Sequence, residues 1–170
     1  MNRLFLKFIV ILILLISTNF RAQSSSNKPC AGIEYNQFDF WIGDWSVYDT
    51  KNNLIGKNKI QKIQENCALQ ENWVSNTSSN KGTSYNFYNK IDNSWNQVWI
   101  DNTGFSLILK GNLVDEKMVL KSKLIESEKG NYYNRITWHK NKDNSVTQVW
   151  EYVNEKGKVI SEVFRGIYKK

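Results

Sequence analysis

Glu71-x-Trp73, Gln97-x-Trp99 and Gln148-x-Trp150 repeat one arrangement three times along the chain. On a β-strand, residues two apart share a face. Each segment would then set one amide or carboxyl group beside one indole. Tyr85 and Phe87 share a face of an intervening segment, and Asp101 extends the Gln97–Trp99 face. Turned inward, these nine positions make an aromatic floor with a few hydrogen-bonding groups, the usual make-up of a small-molecule pocket. Indoles stack on the C–H faces of sugars and on planar rings, while amides and carboxylates meet hydroxyls. The same indoles could instead fill a core, with their polar neighbours bonded to backbone. The spacing alone leaves both readings open.

Arg135 shares a face with Thr137 and His139, the only histidine. On an interior face Arg135 would need a carboxylate, Glu71 or Asp101, because an unpaired buried charge is costly. Such a pair could also clamp an anionic ligand. An enzyme built from these groups would use Glu71 or Asp101 as general base, with Arg135 and Tyr85 stabilising a developing anion. That is the chemistry of an isomerase, lyase or dehydratase acting on a small acid or sugar. His139 lies beside a turn and reads as surface. One His and two Cys give little support for a zinc or haem site, so no metal and no cofactor are expected. No Ser-His-Asp order, Gly-rich phosphate loop or nucleophile motif is present.

The elements that position these residues begin after residue 23. Arg3 and Lys7 precede an unbroken apolar run, Phe8 to Ile16, followed by Ser17-Thr18-Asn19 and then Phe20-Arg21-Ala22-Gln23. This is the pattern of a signal peptide, and its apolar core is short for a resident membrane helix. The expected organisation is a signal peptide at 1–23, an N-terminal extension at 24–35 and one domain at 36–170. A secreted or periplasmic protein follows, with no stable membrane insertion after cleavage. Cys30 lies too far past the apolar run, after Asn27-Lys28-Pro29, to suit a lipid anchor.

The whole chain carries 23 basic and 16 acidic residues, a net charge of +7. Arg3, Lys7 and Arg21 fall in the signal, which leaves 20 basic against 16 acidic, or +4. The basic residues are scattered among acids, whereas a nucleic-acid partner would call for a dense stripe. Cys30 and Cys67 in an exported chain read as a disulfide. Closing that loop would stabilise the fold by about 4 kcal/mol in the chain-entropy picture.

From residue 44 on, short β-prone segments alternate with turn signals: 44–50, 54–64, 67–76, 83–88, 94–101, 105–111, 117–125, 132–140, 145–153 and 158–168. They are rich in Trp, Tyr, Phe, Val, Ile and Thr, with Asn, Asp and Gly between them. The single proline, Pro29, stands outside them. Short connections favour antiparallel neighbours, and closing a meander on itself removes its edges. The expected fold is all-β: an up-and-down antiparallel β-barrel of about 8–10 strands.

QFDFWIGDWSVYD, residues 37–49, supplies the end of that barrel. Asn36 can cap a helical turn, and Phe38, Trp41 and Ile42 then fall on one face before Gly43 stops it. A short helical plug of this kind would fill one mouth. Gly43-Asp44-Trp45 at the start of the first strand resembles the Gly-x-Trp signature of lipocalins and other calycins. That resemblance implies Trp45 at the closed end, with a basic residue of the last strand, Arg165, packed across it. The longer string FDFWIGDW is similar to that of a family of secreted bacterial barrel domains of unsettled function. The similarity continues through Cys67–Trp73, Gly82–Tyr88, Trp95–Asp101 and Gln148–Glu151. It implies fold and compartment and carries over no catalytic residue. The expected function is a lipocalin-like barrel binding a small, partly polar ligand, sugar-like or aromatic. The alternatives are the enzyme outlined above and a filled-barrel interaction module.

Overall fold

The computed structural model describes residues 28–170. The expected signal peptide, 1–23, lies outside the described residues, as do the first four positions of the extension. The chain forms ten strands: β1 Gly43–Tyr48, β2 Leu54–Ile63, β3 Ala68–Ser75, β4 Lys81–Asn89, β5 Ser94–Asp101, β6 Ser106–Val114, β7 Lys117–Lys121, β8 Tyr133–Lys140, β9 Val146–Val153 and β10 Val159–Lys169. Each pairs antiparallel with its sequence neighbour, and β1 pairs with β10, closing an up-and-down barrel. Turn chemistry follows the sequence. Asp115 and Glu116 both take positive φ between the paired Val114 and Lys117, the two-residue hairpin geometry that suits the strand twist.

Most strand limits differ from the expected ones by one or two residues, β6 runs three residues past its expected end to Val114, and the limits of β7 and β4 bear most on the fold. β7 ends at Lys121, four residues short, after which only Ile125 and Tyr132 form a bridge. β4 begins at Lys81 and takes in Gly82, a residue the turn signals assign to the preceding loop.

The N-terminal plug forms, but not as an α-turn capped by Asn36. Ile33–Asn36 and Asp39–Trp41 are separate 3-10 turns, and Asn36 ends the first, with its side-chain amide donating to the Gly32 carbonyl at 3.3 Å. A three-residue turn places positions i and i+3 above one another, which puts Phe38 and Trp41 on one side. Both are fully buried, and their rings stack 5.0 Å apart. Trp138 and Trp95 meet Phe38 edge-on at 5.2 and 5.6 Å. Leu69, Leu109, Met118 and Val146 complete this end of the core. The plug is fastened at its rim. Cys30 is bonded to Cys67 at the β2–β3 turn, Lys62 holds Asp39 at 2.8 Å, and the Trp95 indole donates to Gln37 at 3.1 Å.

Trp45 belongs to the same closed end, and its indole N–H donates to the Trp41 carbonyl at 2.8 Å. The cation across it is Lys170, 5.0 Å from the ring, and not Arg165. Arg165 points out of the barrel, where it pairs with Glu162. The reason is strand parity. Phe164, Gly166 and Tyr168 take the inner positions of β10, and a register shift between Glu162 and Phe164 fixes that phase.

Candidate functional site: a one-ended aromatic cavity

The opposite end is open. A cavity of about 500 Å³ enters between the loops after β3 and β5 and runs down inside the barrel to Glu71. Its walls carry Trp73, Trp99 and Trp150, each partly buried, together with Phe105 and Phe164. Trp73 meets Phe164 edge-on at 6.0 Å, and Phe105 lies over Trp150 at 6.1 Å. Gln97, Gln148 and Asp101 also contribute to the lining. All six residues of the threefold polar–indole repeat therefore share the interior face. On β3 the order from plug to mouth is Leu69, Glu71, Trp73, Ser75, and on β5 it is Trp95, Gln97, Trp99, Asp101. One pleat repeat is about 7 Å, so the polar groups lie about that much deeper than the indoles.

Two glycines make the walls possible. A Cβ on Gly56 would lie 2.2 Å from the Trp73 ring, and one on Gly82 would lie 2.3 Å from the Trp99 ring. Each indole therefore rests against the bare backbone of the neighbouring strand. Glycine inside a strand often marks such a close approach.

Glu71 is 4% exposed. Its Oε1 accepts from the Asn58 amide and its Oε2 from the Ser84 hydroxyl, both at 2.6 Å. Ser84 Oγ in turn accepts from Asn86 at 2.8 Å and from Gln97 at 3.4 Å, and Gln97 also donates to Asn86 Oδ1 at 2.8 Å. With both lone pairs of Ser84 engaged, its hydrogen is directed to Glu71. Burial pushes the Glu71 carboxyl up to about 7, against the lowering effect of the Ser84 and Asn58 bonds. On the far wall the Tyr168 hydroxyl donates to Gln148, and Asn58 lies 3.4 Å from the same hydroxyl. Burial, followed by the nearby Glu71 charge, pushes the Tyr168 phenol well above its usual range. Asn58 Oδ1 is buried without a partner.

Asp101 has a different role. Its Oδ1 accepts from the Thr103 N–H and hydroxyl and from the Phe105 N–H, and its Oδ2 accepts from Asn80. The Thr103 hydroxyl, first among these, holds its carboxyl below the usual range. Asp101 thus shapes the rim loop that presents Phe105.

Three expected site residues are elsewhere. Tyr85 and Phe87 face outward, 48% and 37% exposed, because Ser84 and Asn86 occupy the inner positions of β4. Arg135 also faces outward. Its cross-strand neighbour is Glu151, which it meets at 2.8 Å, and the interior of β8 carries Asn134, Ile136 and Trp138. His139 shares the Arg135 side, as expected for a surface position. Glu71 therefore meets neither Arg135 nor any other cation among the described residues. Sequence reasoning missed Asn58, Ser84, Asn86 and Tyr168. A polar inner face on β2 and β4 carries the same alternation as a solvated one, so only the partner strands reveal it.

No protein-family model matches the chain, and no curated protein matches it.

Proposed function

We propose that this protein is a secreted or periplasmic lipocalin-like barrel that binds a small, partly polar ligand in its open end, without turnover. The observation that carries the reading is the one-ended cavity, with Trp73, Trp99 and Trp150 around its mouth and the buried carboxyl of Glu71 beneath them. A filled barrel serving only as an interaction module has no use for such a space. The compartment is supported by the Cys30–Cys67 disulfide and by the basic-then-apolar start of the sequence. Among the described residues no helix is long and apolar enough to cross a membrane.

A second reading, catalysis, is favoured by one observation. A carboxyl poised near neutrality inside a cavity is a frequent mark of a general base. Against it, Arg135 and Tyr85 face outward, so the cavity lacks the groups meant to stabilise an anion.

Native mass spectrometry of the protein purified from its own host tests the binding reading. A bound species of small-molecule mass is expected, absent from a Trp99→Ala/Trp150→Ala variant that remains folded. Bare protein only, combined with tryptophan emission that no small aromatic, charged or neutral, perturbs at millimolar concentration, would remove the reading. Conversion of the bound species during incubation, abolished by Glu71→Gln, would favour the enzyme.

A further inference from the structure

We propose that the cavity selects an organic cation, with an ammonium head held between Glu71 and the indoles of Trp73, Trp99 and Trp150 and an apolar remainder along the wall. The inference rests on the binding reading above and names the ligand class.

The first support is the charge of the lining. It includes two acids, Glu71 and Asp101, and no Lys, Arg or His among the described residues. The chain as a whole is basic, at +7, so the acidic interior runs against its composition. A carboxylate ligand would enter a low-dielectric space beside Glu71 with no counter-charge, which is costly.

The second support is the state of the neutral polar groups. A sugar needs amides and hydroxyls free to pair with its own hydroxyls. Here Gln97 is tied to Asn86 and Ser84, Asn58 to Glu71, and Gln148 accepts from Tyr168. The amide N–H groups of Asn58 and Gln97 thus serve Glu71, Ser84 and Asn86. Glu71 is the charged group with unused acceptor capacity, since each oxygen has two lone pairs and accepts one bond, whereas the unpartnered Asn58 Oδ1 beside it is a single neutral acceptor.

The third support is the walls. Ring faces attract cations, tryptophan most strongly, and the attraction grows when water is excluded. Three partly buried indoles with Phe105 and Phe164 surround the space immediately above the carboxyl.

Cation entry is coupled to proton exit. The groups facing Glu71 are Asn58 on β2, Ser84 on β4, Gln97 on β5, Gln148 on β9 and Tyr168 on β10. Only Tyr168 among them titrates, and it stays neutral at all ordinary pH. Glu71, whose carboxyl titrates near 7 without ligand, therefore releases its proton to solvent as the cation arrives.

The test titrates tryptophan emission with three probes that share a benzyl group and differ in the charge of the head: benzyltrimethylammonium, benzyl alcohol and phenylacetate. Benzyltrimethylammonium is expected to bind at least tenfold more tightly than either of the others. Its affinity should rise about tenfold per pH unit below pH 7 and level off above it. Glu71→Gln, with an unchanged circular dichroism spectrum, should lose at least tenfold for the cation, abolish the pH dependence and leave benzyl alcohol unaffected. If benzyl alcohol or phenylacetate binds as tightly as the cation, or Glu71→Gln leaves cation affinity intact, the cation inference fails while the binding reading stands. If none of the three perturbs the emission, both fail.

Discussion

The Ser84 hydroxyl lies 2.6 Å from Glu71 Oε2 and, with Asn58 on the other oxygen, holds the one deeply buried acid among the described residues in place. Neither partner is charged. The carboxyl is therefore bonded but not neutralised, and its protonation is linked to the stability of the fold.

The sign of that linkage is set by the direction of the shift. The Glu71 carboxyl rises from 4.5 to about 7 on folding, so the folded state binds the proton more tightly than the unfolded one. The stabilisation is complete below about pH 4.5 and is lost as pH rises through about 7, a difference of roughly 3 kcal/mol. We expect Glu71→Gln to remove this slope and to be the more stable form at pH 8. Its amide can donate to Asn58 Oδ1, which now lacks a partner, once the Asn58 amide turns over. Urea unfolding at pH 5 and pH 8 checks this, and an equal pH slope in both proteins would contradict it.

Gly82→Ala is expected to push the Trp99 ring off the β4 backbone, since the new methyl would lie 2.3 Å from it. Overpacking of this kind costs about 1–3 kcal/mol. The variant should combine a lower thermal midpoint with a shifted Trp99 emission, identified against Trp99→Phe. Gly56→Ala should do the same for Trp73. Wild-type emission in both variants would mean that the indoles do not rest where the glycines leave room.

Replacing Cys30 and Cys67 by Ser should lower stability by about 4 kcal/mol on the loop-entropy argument. The loss should be felt at the plug, which the bond fastens. Amide exchange at Phe38–Trp41 should accelerate more than exchange at the β5–β6 mouth loop. Uniform acceleration would show that the bond constrains only the unfolded chain.

Lys170→Ala should cost about 0.5–1 kcal/mol, the usual contribution of an exposed cation over an indole. Arg165→Lys should be near neutral, because the outward pair with Glu162 is solvent-exposed. A double comparison of thermal midpoints decides between them. A larger loss at Arg165 would restore the cation of the last strand that the Gly-x-Trp resemblance implies.

The barrel was legible in the sequence because its turns are chemically explicit and its connections short. The interior face of β3, β5 and β9 was legible because Glu71, Gln97 and Gln148 each precede an indole by two. β4 departs from the sequence expectation for a physical reason. Its outer face carries Tyr85 and Phe87, and its inner face carries Ser84 and Asn86, the reverse of the usual alternation. The inversion serves Glu71, whose buried carboxyl needs donors, and the need becomes visible only once β3 lies beside β4. Arg135 and Arg165 failed on phase: pairing partners and β10's register shifts, not residue type, set which way each points. The plug was found through its rings, while its helix type was not, since three-residue and four-residue turns both bring Phe38 and Trp41 together.

The seam between β1 and β10 joins only three residue pairs, Ser46–Lys169, Val47–Tyr168 and Tyr48–Ile167, whereas β9 and β10 share eight. Its partners stand about 120 residues apart in the chain. Contacts so distant in sequence form slowly, and a ribosome delivers β1 first and β10 last. Until the final strand arrives, the nascent sheet has a bare rim able to capture a neighbouring molecule. Deleting residues 168–170 removes two of the three pairs. The expected product is an unzipped sheet that self-associates, seen as growth in scattering with protein concentration, rather than a barrel that melts a few degrees earlier.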